Sequence, residues 1–124
     1  MDILLSVHDG IIKDKYFPGY IVDALGKLGS IWQNEKSEPW TEEELAENIK
    51  GMDVCVTHWH SPKITPAVLA NADRLKLVAH CAGSVYNIVS PEVFEKGITV
   101  IGANRIMARA VAEGTLAMIL LAPM

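Results

Sequence analysis

Short continuous apolar runs alternate along the chain with stretches of helical spacing. Residues 3–7 (ILLSV) are one such run, closed by His8-Asp9-Gly10. Consecutive apolar residues suit a strand buried on both faces, so a first strand with a turn behind it is expected. Pro18-Gly19 then opens a stretch with Ile21, Val22, Leu25 and Leu28 on one helical face, and Gly29 ends it. Residues 30–33 (SIWQ) read as a short second strand near a sheet edge. Thr41, followed three residues later by Glu44, is a capping box; it starts a helix through Lys50 that Gly51 closes. Residues 53–57 predict a third strand. Thr65-Pro66 predicts a short helix with Val68 and Leu69 inward, and residues 75–79 a fourth strand. Pro91 starts another helix of one to two turns, Gly97 ends it, and residues 98–101 predict a fifth strand. The last helix runs from about Arg105 to Leu121, roughly 25 Å at 1.5 Å per residue.

Strands alternating with helices run parallel and connect by right-handed crossovers. The expected fold class is α/β, a flavodoxin-like three-layer sandwich with a five-stranded parallel sheet. The final helix is apolar nearly all round over residues 116–121, so burial on several sides is expected for it.

Composition narrows the partners. The chain has 124 residues, enough for one domain with one core. Eleven basic against fifteen acidic residues give a net charge of −4. Nucleic acid and anionic membranes need a concentrated basic face, so neither is expected as a partner. The longest apolar segment, residues 106–121, is broken by Arg109 and Glu113 and falls short of the roughly 20 residues a spanning helix needs. No secretory signal opens the sequence, and a cytoplasmic setting is expected. Cys55 and Cys81 are expected as small core thiols at strand ends.

Ligands of open parallel sheets meet the loops at the carboxyl ends of strands. Three loops qualify: His8-Asp9-Gly10, His58-Trp59-His60-Ser61 and Ala82-Gly83-Ser84-Val85. The small residues of the third let backbone approach a ligand closely, and successive N–H groups there form a nest for an anion such as a carboxylate. A plain strand-to-helix turn is the competing reading. His58 and His60 suggest metal, and a small metal-dependent hydrolase is one candidate function. However, catalytic zinc usually takes three protein ligands, and alternate residues of a strand point to opposite faces. No metal is therefore expected. His80 reads as a hydrogen-bonded packing residue.

Residues 75–121 carry a resemblance to a known family. The loop Ala82-Gly83-Ser84-Val85-Tyr86-Asn87 resembles the Gly-x-Gly-x-Asp-Asn loop of the D-isomer-specific 2-hydroxyacid dehydrogenases, departing from it at Ser84 and Tyr86. Val111-Ala112-Glu113-Gly114-Thr115-Leu116-Ala117-Met118-Ile119-Leu120 is similar to that family's Val-Ala-Glu-x-Thr-Leu-Ala-x-Ile-Leu signature. The resemblance implies that residues 1–104 form a substrate-binding domain. Residues 105–124 would then be a crossover helix packing on a nucleotide-binding domain that the sequence does not contain. It implies a small 2-oxo or 2-hydroxy acid as ligand, bound by His58, Trp59, Ala82, Gly83, Ser84 and Val85. It places Asn104, Met107 and Val111 along a cofactor cleft for NAD or NADP, with neither bound tightly by this chain. The family's catalytic residues lie in the other domain, so none is assigned here and the chain alone is expected to be inactive. The rival from another class is a stand-alone flavodoxin-like module that associates with a partner or with itself. In either case a homodimer through the last helix is expected.

Overall fold

Five strands form one all-parallel sheet in the order β2-β1-β3-β4-β5. The structure is a computed structural model and describes residues 1–122. The strands are β1 (Asp2–Leu5), β2 (Ser30–Gln33), β3 (Val54–Thr57), β4 (Leu77–His80) and β5 (Thr99–Gly102). The helices are α1 (Ile11–Tyr16), α2 (Gly19–Gly26), α3 (Glu42–Asn48), α4 (Pro66–Leu69), α5 (Pro91–Glu95) and α6 (Asn104–Leu121). This is the expected α/β architecture. Strand ends differ from the expected ones by a residue or two, because backbone pairing and not apolar content sets them. Val7 and Leu75 stay buried although they lie outside β1 and β4.

Helices cover both faces, giving three layers. One face of the sheet buries Ile3, Leu5, Val7, Val54 and Val56 with Phe17, against Ile12, Ile21 and Val22 of α1 and α2. The other buries Leu4, Cys55 and Val78 against Leu45, Val68, Leu69 and Val93 of α3, α4 and α5. Every residue of β3 is buried, as a central parallel strand requires. Burial of each large aliphatic side chain contributes roughly 1.5–3 kcal/mol. The thiol of Cys55 sits in this core, where burial pushes its pKa up to about 12. Cys81 corrects its expectation: it is exposed, because β4 ends at His80 and the chain turns away from the core. Leu28 also corrects its expectation. Helix α2 stops at Gly26, which leaves Leu28 beyond it and 62% exposed. Helix α1 was not foreseen.

The capping box forms as its spacing predicts. Thr41 Oγ1 accepts the Glu44 N–H at 3.2 Å, and Glu44 Oε2 accepts the Thr41 N–H at 3.0 Å. Thr41→Ala is expected to lower stability by about 1 kcal/mol, read as an unchanged urea slope with an earlier midpoint.

Asp53, immediately before β3, ties β1 to the segment that leads into β4. Its Oδ2 accepts the Asp2 N–H at 2.8 Å, and Arg74 Nη2 donates to Oδ1 at 3.0 Å and to Oδ2 at 2.9 Å. The Asp2 amide, with the Arg74 guanidinium beside it, holds the Asp53 carboxyl below its ordinary value. A carboxyl depressed by folding stabilises the fold above its unfolded pKa of about 3.9. That contribution is lost as pH falls through the lower folded value. Asp53→Asn is therefore expected to give a shallower loss of stability below about pH 4 than the parent chain, measured by urea unfolding across pH.

Candidate functional site

The order 2-1-3-4-5 places a topological switch between β1 and β3, and open parallel sheets bind ligands at the loops on the carboxyl ends of their strands. The loop after β3 is a tight turn, with the Ser61 N–H donating to the His58 carbonyl at 3.2 Å. The His58 N–H donates to Ser61 Oγ at 3.0 Å, and Ser6 Oγ lies 3.1 Å from that same oxygen. His60 takes φ 67° within the turn, the left-handed region that disfavours most side chains. The turn sends Trp59 and His60 outward, both exposed, and keeps His58 in.

His58 departs from its expected place on the cleft wall. It is 1% exposed and stacks on Tyr16 with ring centroids 4.5 Å apart. Phe17 and Trp59 meet the same ring edge-on. Its Nδ1 accepts the Trp59 N–H at 2.8 Å, so the ring holds the turn from beneath. Burial lowers its pKa, and His80 and His60 nearby add to the effect. The aromatic residues around it are Tyr16 of α1, Phe17 just after α1, and Trp59 of the turn itself. The signal available in the sequence was Ile11-Ile12 and Tyr16-Phe17 at helical spacing after Gly10. Among the described residues no group of three His, Cys, Asp or Glu is placed to hold a metal ion.

The loop after β4 faces this turn across a cavity of about 370 Å³ lined in part by Trp59, His60, His80 and Ser84. Ala82 is buried and offers only its backbone, with its carbonyl accepting the Ala103 N–H at 3.1 Å. Gly83 and Val85 are half-buried and Ser84 is exposed. The N–H groups of Gly83, Ser84 and Val85 have no acceptor among the described residues, whereas the Tyr86 N–H donates to Ser84 Oγ at 3.3 Å. Three successive free amides at a strand's carboxyl end are donors available to an anion. His80 is fixed below them: its Nδ1 lies 2.9 Å from Thr57 Oγ1, and burial holds its pKa below the ordinary value.

Helix α6 leaves the domain directly from β5. Contrary to the burial expected from its composition, it has no buried residue. Leu116, Ile119 and Leu120 are 58%, 66% and 76% exposed. Among the described residues no other element buries its apolar surface. Asn104 and Val111 are exposed and Met107 is half-buried. Asn104 lies beside the loop, with its Oδ1 3.6 Å from where a Cβ on Gly83 would stand, and the two line a second cavity of about 330 Å³. Val111 lies two turns further along and lines none of the cavities around the loop. Residues 123 and 124 of the expected 105–124 segment lie outside the described residues.

The five-stranded parallel sheet, the run of unpartnered amides after its fourth strand and the unburied helix after its fifth define an α/β domain of open-sheet type. Residues 15–117 match the family described as D-isomer specific 2-hydroxyacid dehydrogenase, catalytic domain, and the chain belongs to that family. It is 35% identical over 100 residues to D-3-phosphoglycerate dehydrogenase of Methanocaldococcus jannaschii, covering 81% of this chain and 19% of that protein. It is 33% identical over 90 residues to glyoxylate reductase of Pyrococcus furiosus, covering 73% and 26%. The fold superposes on an acyclic imino acid reductase solved with NADPH and D-Arg, with a TM-score of 0.71 at 19% identity over 94% of this chain and 35% of that one. The chain thus spans about a fifth to a quarter of the length of the curated relatives it matches.

Proposed function

We propose that this chain is the substrate-holding half of an NAD(P)-dependent dehydrogenase cleft, and that its loop 82–85 binds the carboxylate of a small 2-oxo or 2-hydroxy acid. The observation that carries this reading is the run of free N–H groups at Gly83, Ser84 and Val85. Amides fixed in advance hold an anion without reorganisation when it arrives. Trp59 and Ser84 would bound the acid on the sides of the cavity, and Ala82 would set the loop's height through its buried backbone. His58 would act indirectly, through the turn it supports.

The nicotinamide, when bound, would supply or accept the hydride at C2. The residues here fit one wall of its site only. Asn104 and Met107 sit at the first turn of α6 beside the loop, and no Gly-x-Gly-x-x-Gly follows a strand. The phosphates would be held by a nucleotide-binding domain that α6 packs against. Val111, more exposed, would face that domain.

Gly83→Ala tests the loop. The added Cβ meets Asn104 Oδ1 at an ordinary 3.6 Å, so stability is expected to stay within about 0.5 kcal/mol of the parent. The methyl group crowds the ligand's approach to the amides, and glyoxylate affinity by calorimetry is expected to fall about tenfold. Unchanged affinity would remove the loop from the site.

A second reading is favoured by the exposure of α6: the chain self-associates through this helix, as a homodimer. It is compatible with the first, since one apolar helix can serve both a domain and a second copy.

A further inference from the structure

A single proton can undo the turn after β3. The Trp59 N–H donates to His58 Nδ1 at 2.8 Å. An imidazole nitrogen accepts only when it carries no hydrogen, so this bond requires the neutral ring with its proton on Nε2. A protonated ring carries hydrogens on both nitrogens, and two N–H groups would then face each other across 2.8 Å. Water cannot take up the charge, because the ring is 1% exposed, stacked on Tyr16 and met edge-on by Phe17 and Trp59.

The groups around the ring oppose a charge as well. Among the described residues no Asp or Glu pairs with it. On α1, Lys15 Nζ lies 5.4 Å from the centroid of the Tyr16 ring on which His58 stacks. His60 in the turn and His80 on β4 would repel a second positive charge, and His8 after β1 stands 6.5 Å from His60. A tyrosine face attracts a cation. Burial outweighs it, and with His80 and His60 it holds the His58 pKa below its ordinary value.

We infer that His58 is a positioning residue for the site: its neutral ring pins Trp59 and His60 at the cavity wall, and a proton on Nδ1 releases them. His60 sits at φ 67°, a conformation that its surroundings must hold. The turn's other two bonds, the His58 N–H to Ser61 Oγ and the Ser61 N–H to the His58 carbonyl, do not involve the ring and survive its protonation. The release is therefore local, confined to two residues that line the cavity facing loop 82–85. That they bound a 2-oxo acid rests on the function proposed above; the hold on the turn does not.

The test is an amide and imidazole chemical-shift titration of the isotope-labelled chain from about pH 8 to about pH 4.5. It is run beside His58→Asn, whose Oδ1 stands off Cγ as Nδ1 does and accepts at every pH in that range. In the parent chain the Trp59 amide is expected to move with the same midpoint as the His58 ring, below about 6.5. In His58→Asn only the smaller shift imparted by His60 is expected to remain. An equal Trp59 shift in the two proteins overturns the inference. So does a His58 ring that stays neutral to the lowest pH, or one that charges with the Trp59 amide unmoved; both are read in the parent chain alone should His58→Asn not fold. Calorimetry with glyoxylate is the second arm. Between about pH 7.5 and about pH 5 the parent is expected to lose about threefold in affinity relative to His58→Asn, the low end of what one lost hydrogen-bonded contact produces. Equal pH dependence in the two proteins overturns the positioning role. Glyoxylate that binds at no pH overturns the proposed function and the positioning role with it, while the Trp59 titration still decides the hold on the turn.

Discussion

A chain carrying Leu116→Glu, Ile119→Glu and Leu120→Glu is expected to sediment as a monomer at concentrations where the self-association proposed above would make the parent chain a dimer. The three positions are spaced i, i+3 and i+4, so they share one face of α6. All three are more than half exposed, and among the described residues no element buries them. Each such side chain is worth roughly 1.5–3 kcal/mol when fully buried. Losing three from an interface shifts its Kd by at least three orders of magnitude, at about 1.4 kcal/mol per tenfold. Glutamate is a good helix former, so the helix itself should persist, and circular dichroism checks that it does. A parent chain that stays monomeric at millimolar concentration would remove self-association and leave α6 for a second domain alone.

The second large effect is a silence. With NADH or NADPH and glyoxylate, the isolated chain is expected to oxidise cofactor no faster than buffer, followed at 340 nm. Reduction of a 2-oxo acid needs a proton donor within reach of the carbonyl oxygen and a cofactor held against C2. A positioned general acid contributes about 10²–10⁴-fold, and fixing two reactants against each other contributes more. Among the described residues no histidine is paired with a carboxylate that would orient it as the acid: His58 is buried with Nδ1 engaged, His80 is held through Thr57, and His60 is exposed on the cavity wall. No dinucleotide loop is present to hold the cofactor. Saturable cofactor oxidation by the chain alone, lost in Gly83→Ala, would show that this half carries chemistry the present account denies it.

Much of the fold was legible because its signals are local. Parallel strands buried on both faces leave continuous apolar runs, and Thr41 with Glu44 marks a helix start to the residue. The loop at Gly83 was legible for the same reason: a strand, then small residues, then a helix. Tertiary contacts decided what was missed. Nothing near His58 in sequence shows that Tyr16 stacks on it, because that pairing depends on α1 reaching across from β1 to β3. The burial of His58 and the outward turn of Trp59 and His60 follow from that packing and from a left-handed residue at position 60. Cys81 misled because an apolar-looking strand end says nothing of where pairing stops. The exposure of α6 is the inverse case. Its apolar composition predicts burial on several sides, and among the described residues none of the helix is buried.

The central claim is that amides 83–85 receive the carboxylate of a 2-oxo acid. The most direct measurement is an amide chemical-shift titration of the ¹⁵N-labelled chain with glyoxylate. The account predicts that the largest shifts fall on Gly83, Ser84 and Val85, saturating together with a single Kd, with smaller shifts at Trp59 and His60 across the cavity. Saturable shifts elsewhere, with those three amides unmoved, would contradict it.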